Sequence, residues 1–580
     1  MTNSGKYILG ISCFYHDSAA VLIKNGDMVA AAHEERFTRK KHDDSFPGNA
    51  IKFCLSFEGI TLDDISCIAF YDKPLLKFER IVESFIKSWP WDYKMFVRAM
   101  PIWLKDKLWV KDKIKKELNY KGLIYFCEHH MSHAASSFFV SPFREALILT
   151  MDGVGEWATT TIGHGKDKEI KIIKQIDYPD SLGLFYSLFT YYLGFKPNSA
   201  EYKVMGLAPY GRPKYVNELK KLIEIYNDGS FKLNRKFFKS FYSIENVTDK
   251  LESLFKVKKR KFGDQLEQFH KDLAASLQDV TNQIVVKLAS CAKKETGFDN
   301  LCLAGGVALN CVTNSEILKK CGFKNIYIQP SAGDAGGALG AAYYVWNQVL
   351  ENERRFEMSH AFWGPSYENN QIKDFLESKG VEYEFLSDED IIKKTAELIK
   401  NQNVIGWLRG RMEWGPRALG ARSILADPRN KDNWQRVNLK IKFRESFRPF
   451  APSVLKEDSL SYFNLGDSPY MLFIADVKND EIPAVTHIDK TARIQTVDQN
   501  SNPCYHGLIK EFKRITGCPV LINTSFNVRG EPIVCSPEDA FNTFIKTDID
   551  YLVLENFLLD KKKISFKYPF VKPDISNDAD

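Results

Sequence analysis

Residues 128–133 have the sequence Glu128-His129-His130-Met131-Ser132-His133 and lie between a strand-like apolar run at 123–127 and a helix-like run at 134–139. His129 and His133 are four residues apart, so both imidazoles lie on one face of the predicted helix. A single metal ion can bind both rings from such a face. The stretch therefore predicts a candidate metal site where a strand meets a helix.

Two aspartates extend this candidate site. Asp152 follows the apolar run at 146–151, and Asp334 lies in the glycine-rich segment 331–337. Two imidazoles and two carboxylates form a mixed nitrogen and oxygen set that suits iron(II), zinc or manganese. The alternative is a polar helix start without a metal. A zinc-protease mechanism is excluded, because His130 stands where His-Glu-x-x-His requires its glutamate.

The composition is ordinary for a large globular protein. The chain has 580 residues, of which 44% are hydrophobic and 27% charged, and its net charge of +6 does not argue for nucleic acid. Its 11 cysteines form no Cys-x-x-Cys pair, which is typical of reduced thiols. No secretory signal and no bilayer-spanning apolar run is present. We therefore expect a cytoplasmic protein with no membrane and no nucleic-acid partner.

Two stretches of the first half predict the same order of strands and turns. The first has predicted strands at 7–12, 20–23 and 28–32, and the second has them at 146–150, 158–163 and 170–175. The two stretches share a pattern of elements but not their residues. They predict a duplicated fold with a cleft between its halves.

A change of composition at 351–356 predicts a domain boundary. Before it, a long amphipathic helix is predicted at 266–294 and ends before Gly297. After it, strands are predicted at 404–408, 519–522 and 551–554. We place the domains at 1–355 and 356–580, and we expect the acidic tail at 574–580 to lack fixed structure.

Glycines after predicted strands are candidate nucleotide contacts, because a backbone without Cβ lets phosphate or ribose approach closely. The candidates, together with one asparagine, are Gly153, Gly305, Gly306, Asn310 and Gly336. Tight packing of a helix on a strand requires glycine for the same steric reason, so that alternative stays open. No Gly-x-x-x-x-Gly-Lys-Ser/Thr phosphate loop is present.

Arginines next to glycine and proline cluster in the second half of the chain. They occur in the segments 415–422, 442–450, 491–493 and 523–530. Guanidinium groups with few acidic neighbours bind phosphate in a bidentate manner. A single such arginine more often caps a surface carbonyl, but the clustering favours an anion site.

Six motifs make the chain resemble the O-carbamoyltransferases of natural-product and nodulation-factor biosynthesis. That family includes nodulation protein U, the cephem carbamoyltransferase and the tobramycin carbamoyltransferase. The motifs are His16-Asp17-Ser18-Ala19-Ala20, Glu34-Glu35-Arg36-Phe37, Glu128-His129-His130-Met131-Ser132-His133, Lys203-Val204-Met205-Gly206-Leu207-Ala208, Gly415-Pro416-Arg417-Ala418-Leu419-Gly420 and Asn523-Thr524-Ser525-Phe526-Asn527. The resemblance runs from Tyr7 to about Leu558.

The resemblance implies an α/β protein of two domains. The N-terminal one would be a duplicated actin/sugar-kinase-like domain, similar to the threonylcarbamoyl transferase of tRNA modification, and the C-terminal one a YrdC-like α/β domain. Iron(II), or another divalent transition metal, would bind His129, His133, Asp152 and Asp334. ATP with magnesium would be the co-substrate, and a homodimer is the assembly that the family suggests. The pair Lys442-x-Arg444 and Ser525-x-Asn527 resembles the YrdC pattern only loosely.

The implied activity is ATP-dependent O-carbamoyl transfer in two steps. Carbamoyl phosphate and ATP would give carbamoyladenylate in the second domain, where the phosphate-bearing substrate would be held by Arg417, Arg448, Arg493, Asn527 and Arg529. The first domain would pass the carbamoyl group to a hydroxyl of a natural-product or saccharide acceptor, with the metal stabilising the leaving phosphate. His16 would orient or deprotonate that hydroxyl, and Lys41 would pair with the α-phosphate. The alternative for His16 is a histidine that caps a turn.

Two other functions fit parts of the chain. A sugar-kinase-like phosphotransferase fits the topology of the first domain, but it would need neither the four metal ligands nor the arginine-rich half. A non-catalytic nucleotide-binding module would bind ATP without releasing pyrophosphate. The residues leave the acceptor open among a sugar, an aminoglycoside, a polyketide and an alkaloid alcohol.

Overall fold

The strands of the first half form two sheets in a computed structural model, which describes residues 5–90, 92–238, 244–445 and 447–564. The first sheet contains β1 (Tyr7–Ser12), β2 (Ala19–Lys24), β3 (Asp27–His33), β4 (Ile65–Phe70) and β5 (Leu123–Phe126). The next strands are β6 (Glu145–Met151), β7 (Ala158–Lys166), β8 (Glu169–Asp177), β9 (Ile223–Ile225), β10 (Phe231–Leu233), β11 (Asn300–Ala304) and β12 (Asn325–Tyr327).

The two sheets have the same connectivity. Their strand orders are β3-β2-β1-β4-β5 and β12-β11-β6-β7-β8, while β9 and β10 form a separate hairpin. In each sheet three consecutive strands pair antiparallel and two later strands add in parallel. Every residue of β1 is buried, as expected where helices cover a sheet. The predicted duplication is therefore present.

Helices connect and cover these sheets. They are α1 (Glu35–Thr38), α2 (Gly48–Glu58), α3 (Pro74–Ser88), α4 (Tyr93–Lys105), α5 (Val110–Leu118), α6 (His129–Phe138), α7 (Leu182–Tyr192), α8 (Glu201–Leu207), α9 (Val216–Lys220), α10 (Ile244–Phe255), α11 (Gln268–Thr296), α12 (Cys311–Lys320) and α13 (Gly336–Tyr344). The predicted long helix is α11, and Gly297 ends it in the left-handed region at φ 74°.

The helices α6 and α13 pack so closely that their backbones touch. A Cβ added to Gly340 of α13 would overlap the carbonyl oxygen of Ser132 in α6 and would lie 2.9 Å from the amide nitrogen of Ser136. Gly10 of β1 lies equally close to the carbonyl oxygen of Ala338. These glycines bring the start of α13 beside the start of α6.

The second half forms one large mixed sheet and a separate pair of strands, β17 and β18, whose bounds are given below. Its elements are α14 (Asn369–Lys379), β13 (Glu384–Phe385), α15 (Asp388–Lys400), β14 (Ile405–Leu408), β15 (Arg422–Ala426), α16 (Asp432–Gln435), β16 (Ala451–Leu455), α17 (Ser459–Tyr462), β17 (Ile474–Asp476), β18 (Thr491–Arg493), β19 (Gln495–Val497), α18 (Pro503–Thr516), β20 (Val520–Ser525), α19 (Pro537–Ile545), β21 (Tyr551–Leu554), β22 (Phe557–Asp560) and α20 (Lys561–Ile564). The strand order is β13-β22-β21-β14-β15-β20-β16-β19. The protein is thus a mixed α/β protein in both halves.

The chain divides into two compact units, and each of them is made of two separate segments of the sequence. Within the described residues, unit 1 comprises 5–34 and 42–358, and unit 2 comprises 35–41 and 359–564. The main division lies three residues after the predicted one, and the segment 35–41 was not anticipated. The tail predicted at 574–580 lies outside the described residues.

Arginine side chains explain why the segment 35–41 belongs to unit 2. Arg36 donates to the carbonyl oxygen of Gly415 at 3.0 Å. Arg39 donates to the carbonyl oxygens of Ile533 and Pro532 at 2.7 and 2.8 Å. Buried carbonyls need donors, so these contacts stabilise the segment inside unit 2.

We expect Gly340→Ala to lower the free energy of unfolding by about 3 kcal/mol, because the new methyl group would push α13 off α6. Urea unfolding followed by fluorescence measures this change. The control is Gly48→Ala in the first turn of α2, where an added Cβ meets nothing within 4 Å. Equal stability of the two variants would contradict the backbone contact.

Candidate metal centre and anion site

Four side chains of unit 1 converge on one point. The Nε2 atom of His129 lies 2.9 Å from Oδ2 of Asp152 and 3.1 Å from Nε2 of His133. Oδ1 of Asp334 lies 3.6 Å from Nε2 of His129 and 3.4 Å from Nε2 of His133. The potential ligand atoms of all four residues lie within 4.8 Å of one another. The structure therefore brings together the four residues that the sequence nominated as metal ligands.

Local structure orients each of these side chains. His129 and His133 lie in the first turns of α6, and the backbone amide of His129 donates to Glu156 at 3.0 and 3.1 Å. A buried carboxylate at a helix N-terminus is stabilised by the free amides there. Asp152 directly follows β6, and its Oδ1 accepts the amide of Gly306 at 2.9 Å. This leaves Oδ2 of Asp152 facing the histidines.

Asp334 shows that this set suits a cation. Both of its carboxylate oxygens are buried and accept no hydrogen bond within the described residues. A buried carboxylate without such donors is costly unless a positive charge compensates it. Two imidazole nitrogens and two carboxylate oxygens form a donor set for a divalent transition metal. The residues present therefore fit the metal that the resemblance implies.

His16 lies at the edge of this set. Its Nε2 is 3.5 Å from Oδ2 of Asp334, and its Nδ1 is 3.2 Å from Oδ2 of Asp17. Asp17 also lies 2.8 Å from Nδ1 of His42, whose Nε2 is 2.9 Å from Oγ of Ser199. His16 is thus oriented through a polar chain that ends at the metal centre.

The carboxylates control the protonation of the histidines. Burial alone would lower the pKa of His16, but the charges of Asp334 and Asp17 outweigh it and raise that pKa to about 10. Burial alone would also lower the pKa of His133, but hydrogen bonds to Asp152 and Asp334 and the charges of these carboxylates outweigh it and raise that pKa to about 9. Neighbouring carboxylates therefore favour the imidazolium form of His16 in this structure.

The glycines nominated for nucleotide contact have mostly structural surroundings. A Cβ on Gly305 or Gly336 would overlap the carbonyl oxygens of Met151 or Ser331, and Gly305 has a φ of 93°. Gly306 uses its amide to orient Asp152. Among these four, only Gly153 would accept a Cβ without overlap, since the nearest atom would be a side-chain carbon of Leu184 at 3.8 Å.

Asn310 also has a structural role. Its side chain caps α12 by accepting the amide of Thr313 at 3.1 Å, and it donates to Gln278 at 3.0 Å. The nucleotide-binding roles of Asn310 and of the four glycines remain predictions.

Lys442 is the centre of a basic cluster in unit 2. Its buried Nζ donates to the carbonyl oxygens of Ser525 and Asn527, each at 2.7 Å, and also contacts the side-chain oxygen of Asn527. The loosely matching pair of motifs at 442–444 and 525–527 therefore meets in space. Lys442 anchors the loop that follows β20 and fixes the orientation of Asn527.

Further cations surround this anchor. Burial lowers the pKa of Lys442 well below its usual value, and the charges of Arg444, Arg448 and Lys41 lower it further. Arg448 and Arg529 lie 3.9 and 3.5 Å from the carboxylate of Glu445. Glu445 and Glu531 are both carboxylates beside these cations, and the charge of Glu531 raises the pKa of Lys442. The cations outnumber these two carboxylates, so the cluster is basic and suits an anion.

Lys41 differs from its expected position. The resemblance placed it in the first domain, but it belongs to unit 2 and acts electrostatically on Lys442. Arg493 ends β18, which pairs with β17 outside the large sheet, and Arg417 lies in the turn before β15. The phosphate-binding roles of Arg417 and Arg493 remain predictions.

Several residues of these sites were not found by sequence reasoning. Glu156, His42 and Ser199 contact site residues only through the fold, and no motif distinguishes them. Asp17 belongs to one of the six motifs but was given no role, although a carboxylate next to His16 in the sequence could have indicated a contact with its imidazole. Glu445 lies among the arginines predicted to bind phosphate, and its position in the sequence does not indicate that it pairs with two of them.

Comparisons with known proteins agree with these two halves. The family model described as "Carbamoyltransferase N-terminus" matches residues 7–343, and that described as "Carbamoyltransferase C-terminus" matches residues 396–561. The chain is 50% identical over 594 residues to the protein sll1178 of Synechocystis sp., covering 96% of this chain and 97% of that protein. It is 39% identical over 564 residues to Nodulation protein NolNO of Sinorhizobium fredii, covering 95% and 80%.

One solved structure with a partial likeness is full-length HypF in the phosphate- and nucleotide-bound form. The match covers 60% of this chain and 47% of that chain, with a TM-score of 0.33 and 14% identity. The family is therefore established by the two sequence models and by relatives that span nearly the whole chain, and they confirm the resemblance carried by the motifs. The chain belongs to the carbamoyltransferase family and is a transferase enzyme.

Proposed function

We propose that the protein is an ATP-dependent O-carbamoyltransferase that forms carbamoyladenylate in unit 2 and transfers its carbamoyl group in unit 1. The observation that carries this proposal is the presence of two oppositely charged sites. Unit 1 holds a carboxylate and imidazole set suited to a metal, and unit 2 holds a basic cluster suited to phosphate. We propose a fold of the actin/sugar-kinase type for unit 1 and of the YrdC type for unit 2.

The first step would activate carbamate. Hydrolysis of carbamoyl phosphate gives carbamate and phosphate, and a carbamate oxygen then attacks the α-phosphorus of magnesium-bound ATP. The bond to pyrophosphate breaks, which leaves carbamoyladenylate. Arg448 and Arg529 donate to the phosphoryl oxygens as their charge develops, and Lys442 positions Asn527 beside them. AMP then becomes a good leaving group on an otherwise unreactive carbamate.

The second step would transfer the carbamoyl group to an alcohol. The acceptor oxygen attacks the carbamoyl carbon, the bond from that carbon to the AMP phosphate oxygen breaks, and the hydroxyl proton passes to a base. We assign to His16 the roles of orienting the hydroxyl and, in its neutral form, of taking this proton, because it borders the metal centre and contacts Asp17. The products are the carbamate ester and AMP.

The metal would be held by His129, His133, Asp152 and Asp334. When bound, a divalent ion such as iron(II) would supply Lewis-acid stabilisation of the leaving phosphate and would compensate the charges of Asp152 and Asp334, which together with Asp17 raise the pKa of His16. Gly306 and Glu156 keep Asp152 and His129 in the orientation that this requires.

The overall proposal is tested by incubating the protein with carbamoyl phosphate, ATP, magnesium and an extract of cell metabolites. Mass spectrometry should find a carbamoylated product together with AMP and pyrophosphate. A phosphorylated product with ADP would instead identify a sugar-kinase-like phosphotransferase.

We expect His133→Ala to lose its bound transition metal and its carbamoyl transfer, because one of four converging ligands is removed. Elemental analysis of the purified variant measures the metal. His164→Ala is a matched control, since His164 lies on β7 and stacks on Phe298 instead of joining the metal set. Full metal content and activity in His133→Ala would contradict the site.

Arg448→Ala should slow adenylate formation by about 10²–10³-fold, because a donor to the developing phosphoryl charge is removed. Pyrophosphate release reports this step. The control is Arg514→Ala, which removes only an exposed pair with Glu511. Transfer from carbamoyladenylate supplied ready-made should continue in Arg448→Ala, and a normal rate of pyrophosphate release would place the phosphate site elsewhere.

His16→Asn should slow transfer to the acceptor by about 10²–10⁴-fold, because asparagine keeps a polar side chain but cannot take the proton. Pyrophosphate release from carbamoyl phosphate and ATP is expected to continue, with the adenylate lost to water. The measurement compares pyrophosphate with carbamoylated product. Normal product formation would show that His16 only stabilises its turn.

A further inference from the structure

A cavity of about 300 Å³ lies beside the metal centre of unit 1. Six aromatic side chains form part of its wall, namely Phe14, Tyr15, Phe70, Tyr71, Trp103 and Tyr178. The ring of Tyr71 lies 5.6 Å from that of His129, and the ring of Tyr15 lies 4.5 Å from that of His16, measured between centroids. The cavity therefore adjoins both a metal ligand and the candidate base.

Three cations and one carboxylate also line this cavity. Lys77 is paired with Asp72, with Nζ and Oδ2 at 2.7 Å. Arg80 is only 5% exposed, and its Nε has no hydrogen-bond partner within the described residues. Its guanidinium lies 5.2 Å from the ring centroid of Tyr178, and no carboxylate pairs with it in the part of the chain that the structure describes.

Lys107 adds a second cation that forms no ion pair in the described residues. It is half-buried, and its Nζ lies 5.6 Å from the ring centroid of Trp103. Burial lowers the pKa of Lys107, and the charge of Lys77 lowers it further, while Asp44 and Asp72 oppose this effect. One carboxylate inside the cavity thus faces three cations, and it is already engaged by Lys77.

A buried arginine without an anion is costly, and a ligand that brings a negative charge removes that cost. The hydroxyl of Tyr71 is buried and also has no hydrogen-bond partner in the described residues. Two buried polar groups without hydrogen-bond partners on the wall of one cavity indicate a binding site for a polar ligand. The aromatic faces around them would contact the apolar faces of a ring.

We propose that this cavity binds the acceptor of the carbamoyl group, and that the acceptor is a ring alcohol of monosaccharide size carrying an anionic group held by Arg80 and Lys107. The volume is at the lower end of the range for small-molecule sites, which suits one sugar ring. The assignment rests on the proposed function, since the reacting hydroxyl must reach His16. The anionic group of the acceptor can be a phosphate or a carboxylate, since both carry the negative charge that Arg80 and Lys107 would bind.

Calorimetry on the intact protein tests this assignment. It measures the affinity for three probes, which are glucose 6-phosphate, glucuronate and uncharged glucose. We expect at least one anionic probe to bind about tenfold or more tightly than glucose. The comparison of the two anionic probes tells phosphate from carboxylate. Equal affinity for all three probes, or no binding of either anion, would overturn the proposal.

Variants of cavity residues test where the anionic probe binds. Arg80→Gln should weaken the anionic probe about tenfold, and Lys107→Gln should weaken it severalfold without touching the buried core. The matched control is Arg98→Gln, an exposed arginine of α4 that does not line the cavity. Binding that survives both cavity variants but is lost in Arg448→Ala would assign the anion to unit 2 and overturn the proposal.

A second readout separates this inference from the proposed function. Pyrophosphate release from carbamoyl phosphate and ATP is measured without any acceptor. Its absence would contradict the proposed function, while binding of an anionic sugar that depends on Arg80 would still support the cavity. Pyrophosphate release combined with equal binding of neutral and anionic probes would overturn the cavity assignment alone.

Discussion

The backbone contact between α6 and α13 is the constraint on which the metal centre depends. Gly340 lets the two helices approach until a methyl group no longer fits, and Gly10 allows the same closeness between β1 and α13. Because Asp334 precedes α13 and both histidines start α6, this packing sets the distance between the carboxylate and the two imidazoles. The ligand geometry therefore depends on residues that never touch the metal.

Buried ionisable groups mark each candidate site. In unit 1, Asp334 is buried without a hydrogen-bond donor in the described residues, and in unit 2, Lys442 is buried among arginines. Folding energy alone does not favour such arrangements, because taking ionisable groups out of water is costly. A cation in the first case and a phosphate in the second would offset that cost, as the proposed function requires.

The segment 35–41 shows how the fold redistributes sequence neighbours. Its residues follow β3 directly, yet Arg36 and Arg39 donate to carbonyls at 415 and 532–533 within unit 2. The segment carries Lys41 to the basic cluster, while His42 returns to unit 1 and orients Asp17. Adjacent residues thus serve two different sites.

Local pattern in the sequence determined most elements and the candidate ligands. Alternating apolar runs and turn residues predicted the repeated strands, Gly297 predicted the end of α11, and the spacing of His129 and His133 predicted a shared face, because these features depend only on neighbouring residues. The meeting of Asp152 and Asp334, the support from Glu156, the transfer of Lys41 to unit 2 and the cavity beside Tyr71 were decided by the tertiary structure. They depend on contacts between residues far apart in the chain, and those contacts follow from how closely two backbones can pack.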